Sequence, residues 1–117
     1  MEIKEHTINE IKVAEIISNE IIINTTEDAL DLMGNIYYQG FDKIILYQKS
    51  INDDFFDLKT KMAGDILQKF AQYQMPLIIV GDFLIYSSKS LKDFIYESNK
   101  GKQVNFLPSI REALKVL

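Results

Sequence analysis

The sequence predicts an α/β fold: a mixed sheet of about five or six strands with an antiparallel N-terminal hairpin, a mainly parallel centre and four helices. Three observations lead there. Strand-like runs alternate with amphipathic stretches, Lys43–Gln48 before Asp57–Tyr73, Leu77–Val80 before Ser90–Asn99, and Gln103–Leu107 before Ser109–Leu117. That order makes a sheet covered by helices. The centres Ile44-Ile45-Leu46 and Leu77-Ile78-Ile79-Val80 are apolar at every position, as strands buried on both faces of a parallel sheet are. Finally, caps and breakers stand at the joints: Thr25 with Asp28, Gly40, Pro76, Gly101, Pro108, and Ser109 with Glu112.

Taken in order, Glu2–Ile8 and Lys12–Ile17 carry β-branched residues around Asn9-Glu10, which is compatible with a hairpin turn. Three consecutive isoleucines in Glu20–Ile23 suggest a short buried strand. Thr25 opens the first helix with a capping box to Asp28. Ala29, Leu30, Met33, Ile36 and Tyr37 form its apolar stripe, and Gly40 stands where a left-handed C-cap belongs. Asp57–Tyr73 reads as the longest helix, with Leu58, Met62, Ile66, Leu67, Phe70 and Tyr73 facing the core and Gly64 allowing close packing on the sheet. Leu91, Phe94, Ile95 and Ser98 face inward on the third helix; Ile110, Ala113, Leu114 and Leu117 line the fourth. The expected core includes Ile45, Ile66, Phe70, Ile78, Ile79, Phe94 and Leu114.

At 117 residues the chain is expected to form one domain over residues 1–117, long enough to bury roughly two thirds of its unfolded surface. A net charge of −4 argues against nucleic-acid binding, which needs a concentrated basic surface. The densest basic patch, Lys89, Lys92, Lys100 and Lys102, is interrupted by Asp93 and Glu97. Absence of cysteine excludes disulfides, thiolate metal sites and a Cys nucleophile. No stretch has the apolar length of a membrane span, and the N-terminus lacks a signal peptide's apolar core. A cytoplasmic protein with no membrane association is the expectation.

No catalytic kit is legible, and neither a catalytic residue, a cofactor nor a metal is expected. The only histidine, His6, falls in the hairpin and reads as a solvent-exposed structural residue. Asp53, Asp54 and Asp57 follow a central strand and Asp82 follows its neighbour, and converging carboxylates suit a hard cation. Asp at helix starts and after Gly81 equally serves as a cap or turn residue. Lys59, Thr60 and Lys61 raise anion binding or phosphorylation as an option, as do Ser87-Ser88-Lys89-Ser90; neither stretch has a nucleotide loop's glycine spacing. Six tyrosines, together with apolar loop segments Phe55-Phe56 and Phe83-Leu84-Ile85-Tyr86, either fold into the core or mark a contact surface.

Asp28-Ala-Leu-Asp-Leu-Met-Gly-Asn35, Phe55-Phe-Asp-Leu-Lys-Thr60, Gly64-Asp-Ile-Leu-Gln-Lys-Phe70, Ile79-Val-Gly-Asp82 and Ser90-Leu-Lys-Asp-Phe-Ile-Tyr-Glu-Ser-Asn-Lys-Gly101 together resemble a bacterial family known only as a domain of unknown function. More distantly, the layout is similar to the STAS domain of anti-sigma-factor antagonists, which implies a STAS-like α/β fold and partner switching. Those antagonists carry a phosphorylatable Ser just after an Asp at a helix start. With Asp57 on that Asp, Leu58 or Lys59 takes the Ser place and Thr60 lies one step beyond, so the motif is broken here.

The expected function is a non-enzymatic regulatory or protein-interaction module. A metal-dependent or small-ligand enzyme using Asp53, Asp54, Asp57 and Asp82 is the alternative. The partner is expected to be a protein, a second copy of the chain included. Its surface is expected at the carboxyl ends of the central strands, where open sheets carry their ligands, on Asp54, Phe55, Phe56, Asp57, Lys59, Thr60, Asp82, Tyr86 and Ser88. Phe55 or Phe56 and Tyr86 are the expected anchors.

Overall fold

The structure, a computed structural model, describes residues 1–117. Its elements run β1 (Glu2–Ile8), β2 (Ile11–Ile17), α1 (Thr26–Tyr38), β3 (Lys43–Tyr47), α2 (Met62–Gln72), β4 (Leu77–Val80), α3 (Lys89–Lys100), β5 (Val104–Leu107) and α4 (Ile110–Lys115). Short 3-10 turns occupy Gln48–Ser50, Asp53–Phe56, Leu58–Thr60 and Phe83–Ile85. The five strands form one sheet in sequential order, antiparallel between β1 and β2 and parallel from β2 to β5. The mixed five-stranded sheet and four α-helices are the expected architecture.

That order has a consequence for the layers. Each parallel crossover steps the same way across the sheet, and right-handed crossovers then place their helices on one face. Accordingly, α1, α2 and α3 pack with Ala14, Ile16, Ile44, Leu46, Leu77, Ile79 and Phe106 in the main core. The opposite face, with Val13, Ile45, Ile78 and Val80, is partly covered by α4 through Ala113. Ile45, Ile66, Phe70, Ile78 and Ile79 are buried as expected; Phe94 and Leu114 are half-buried at the margins.

The hairpin forms with Asn9 and Glu10 both at positive φ, 51° and 69°, the backbone a two-residue turn between twisted strands needs. Thr25 and Asp28 make the expected capping box, Ser109 accepts from the Glu112 N–H, and Gly40 adopts φ 89°.

Three expectations are corrected. Glu20–Ile23 is no sheet strand. β2 and β3 are already neighbours, so Ile23 makes only one bridge, to Ile51, and the Ile22 and Ile23 amides both donate to the Ser50 carbonyl. The helix expected from Asp57 starts at Met62. Asn52 and Asp57 side chains accept from backbone N–H groups two residues on, an alternative to helix that favours tight turns, and Lys61 at φ 65° interrupts the path. α1, at 13 residues, is therefore longer than α2, at 11. Gly64 is exposed, with nothing within 4 Å of where a Cβ would sit, so close packing does not explain it.

Gly34, in the middle of α1, also faces open space. Glycine there costs helix stability with no packing in return. Gly34→Ala is expected to stabilise the chain by about 1 kcal/mol, read as a shift in the denaturant midpoint; a loss of stability would mean that a neighbour needs the space.

Candidate functional site

The carboxyl ends of β3 and β4 meet at one glutamine. Gln48 leaves β3 so that its Oε1 accepts from the Asp82 N–H at 2.9 Å, while its Nε2 donates to the Tyr86 hydroxyl at 2.6 Å. Gly81 makes room for it, because a Cβ at position 81 would stand 2.5 Å from the Gln48 Cβ. The Gly81 N–H donates to the Leu107 carbonyl at 3.0 Å, which ties β5 to the same edge. The Asp82 carboxylate accepts from the Leu84 N–H at 3.1 Å and so shapes the 83–85 turn. Beneath that turn lies an aromatic stack, Tyr86 on Phe56 with centroids 5.2 Å apart and planes at 14°. Phe83 packs edge-on against Phe106 at 5.3 Å. Burial raises the Tyr86 phenol above its ordinary pKa, the Gln48 hydrogen bond lowers it, and the Asp53 charge adds to the rise.

The structure thus brings Asp53–Thr60 and Asp82–Ser90 to the same edge but exchanges their inner and outer residues. Phe55 and Phe56 are only 2% and 4% exposed. They are core residues, not anchors: Phe56 packs against Phe83 and Tyr86, and Phe55 packs edge-on against Phe56 within the main core. Tyr86 is half-buried. What protrudes is Leu84, 92% exposed, and Ile85, 65% exposed. Both were visible in the sequence as apolar residues in a loop, but nothing in their spacing separated them from Phe55-Phe56. Beside Leu84 a cleft of about 620 Å³ opens between the turn and α3, bounded by Ile95, Tyr96 and Phe106. Asp54, Asp57, Lys59, Thr60, Asp82 and Ser88 are exposed around the edge.

The polar residues have local work. Asp57 and Asp82 each accept from a backbone N–H of their own turn, and the Ser88 hydroxyl accepts from the Leu91 N–H to cap α3. The Thr60 hydroxyl lies 2.6 Å from the Asp54 carbonyl and 2.9 Å from that of Asp57, so it closes this loop as a donor. Asp53, Asp54, Asp57 and Asp82 do not assemble with one another into a group of metal-ligating geometry.

A second cluster escaped the sequence reading. His6 is not solvent-exposed: its Nε2 lies 2.8 Å from Glu15 Oε1, and the Tyr47 hydroxyl donates to Glu15 Oε2 at 2.5 Å. Register explains the meeting. His6 pairs with Val13 and Lys4 with Glu15 across the hairpin, so alternate residues of β1 and β2 share the face on which Tyr47 lies. The available signal was a lone acidic residue inside the apolar run Val13–Ile17. Burial would raise the Glu15 carboxyl, but hydrogen bonds from Tyr47 and His6 and the charges of His6 and Lys4 carry it below its ordinary value. Burial, then the hydrogen bond to Glu15 and its charge, push the Tyr47 phenol up to about 12.

The two groups act in opposite pH ranges. Tyr47 is raised, so its contribution is complete below its ordinary value of 10.0 and is lost as pH rises through about 12. Glu15 is lowered, so its contribution is present above 4.5 and is lost as pH falls through the folded value. Tyr47→Phe is expected to flatten the alkaline limb of a plot of melting temperature against pH and to remove the highest phenolate transition in ultraviolet titration. An unchanged alkaline limb would show that the Tyr47 phenol, buried and bonded to Glu15, contributes nothing to stability at high pH.

No helix is long and apolar enough to cross a membrane. No curated protein matches the chain. A solved structure of a candidate anti-sigma factor antagonist from Thermotoga maritima is similar at a TM-score of 0.48 and 16% identity, over 97% of this chain and 92% of that one; a likeness of that degree transfers no activity. Residues 8–117 match the family described as Domain of unknown function (DUF4180), and the chain belongs to that family.

Proposed function

We propose that this chain is a non-enzymatic regulatory module of the bacterial cytoplasm, a single domain that binds a protein partner through the carboxyl edge of its sheet. One observation carries the reading: Leu84 stands almost wholly in water, and Ile85 mostly so, on a turn that is held in place from within. A loose loop hides such residues by folding back. Here the Asp82 cap, the Gln48 bonds and the Phe56–Tyr86 stack keep the turn in shape while the two side chains point outward. Burying each against a partner is worth about 1.5–3 kcal/mol, the size of an interface hot spot. Tyr96 and the cleft beside Leu84 extend the apolar centre, and Asp54, Lys59, Asp82 and Ser88 supply the polar rim that such interfaces carry.

The test is the double substitution Leu84→Ser with Ile85→Ser. Stability is expected to change by less than about 0.5 kcal/mol, as at most exposed sites, while the protein that co-purifies with the unmodified chain is lost. If the unmodified chain instead self-associates in sedimentation velocity and the variant does not, the partner is a second copy. Retention of every binding partner and of the oligomeric state by a folded variant would reject the surface.

A further inference from the structure

The face opposite the main helices has its own opening. α4 spans six residues, about 9 Å at 1.5 Å per residue, too short to cover a five-stranded sheet. Past its carboxyl end a cleft of about 540 Å³ remains, reaching the start of β2, β3 and β5. Openings of this volume take small molecules. Ile11, Leu107 and Val116 give it apolar walls, and Lys43, Lys100 and Lys102 line it as well. Lys100 is already engaged, 3.1 Å from Glu97 and 4.7 Å above the Tyr96 ring. Lys43 and Lys102 ion-pair with no carboxylate, although the chain carries a net charge of −4. Burial and then the charge of Lys102 lower the Lys43 ammonium below its ordinary pKa. Two like charges that line one cleft with no ion-pair partner weaken a fold, and an anion beside them offsets that cost.

We propose that this cleft binds a small organic anion, with its head at the Lys43 and Lys102 ammonium groups and an apolar body against Ile11, Leu107 and Val116. Carboxylates and phosphate monoesters share the required chemistry. The probes are hexanoate, hexyl phosphate, inorganic phosphate and neutral hexanol, each titrated into the ¹⁵N-labelled chain. At least one of the two hexyl anions is expected to bind saturably, shift the amides of Lys43, Lys102 and Val116, and raise the melting temperature with concentration. The tighter of the two assigns the headgroup. Inorganic phosphate and hexanol are expected to bind at least about tenfold more weakly, since each lacks one half of the contact. Lys43→Gln and Lys102→Gln should each weaken binding about tenfold or more while raising the melting temperature of the free chain, because the repulsion is gone. The proposal is overturned if neither hexyl anion binds at millimolar concentration, if both variants bind as the unmodified chain does, or if the shifted amides lie elsewhere.

Discussion

Replacing Phe56 by Ala is expected to destabilise the chain by about 3–5 kcal/mol, the usual cost of removing a buried phenyl ring. The ring lies 4.9 Å from Phe55 and 5.2 Å from Tyr86 between centroids, with Phe83 at 6.0 Å. Its removal leaves a cavity and also unseats Tyr86, so the 83–85 turn loses its floor. Denaturant unfolding measures the effect. A loss below about 1 kcal/mol would place Phe56 among exposed residues and restore it as an anchor. Any loss of partner binding should then follow the unfolded fraction, unlike the Leu84 and Ile85 double substitution, which should spare the fold.

Gly81→Ala is expected to cost about 2–3 kcal/mol, though it adds a single methyl group. Because Gln48 yields, overpacking stays at the low end of its usual range, about 1 kcal/mol. The remainder comes from Gln48, which can clear the new Cβ only by giving up its bonds to the Asp82 N–H and the Tyr86 hydroxyl, each worth about 1 kcal/mol. The cause can be isolated in a double-mutant cycle. With Gln48→Gly already made, which removes the Cβ that the methyl group would meet, the added methyl group should cost markedly less, giving a coupling of about 1 kcal/mol or more. Additive losses would show that the cost lies in the Gly81 backbone and not in Gln48.

The architecture was legible because it is written in local pattern. Ile44-Ile45-Leu46 and Leu77–Val80 are buried on both faces of the parallel centre, and Thr25 and Ser109 cap the helices their spacing indicated. Misreadings gathered where the outcome depends on long-range partners. Glu20–Ile23 had strand propensity but no vacant sheet edge. The stretch from Asp57 to Lys61 had helical apolar spacing, but its side chains bonded back to the chain in turns. Of the candidate surface, the two loops and their shared edge were legible because sheet topology fixes where strand ends go. Which apolar pair faces outward was not, since Phe55-Phe56 and Leu84-Ile85 differ only in what lies beneath them. Gln48, and the meeting of His6, Glu15 and Tyr47, depend on cross-strand register, which one sequence does not display.

The proposed docking surface is the carboxyl edge and no other apolar surface. Its clearest rival is the groove between α1 and the end of α2, of about 530 Å³, lined by Leu30, Met33, Gly34, Tyr37, Tyr73 and Met75. Amide hydrogen exchange on the chain, alone and in its purified complex, separates the two surfaces. Slowed exchange is predicted across residues 82–90 with α1 unchanged. Protection confined to Leu30–Tyr38 and Tyr73–Met75, with residues 82–90 exchanging as in the free chain, would contradict it.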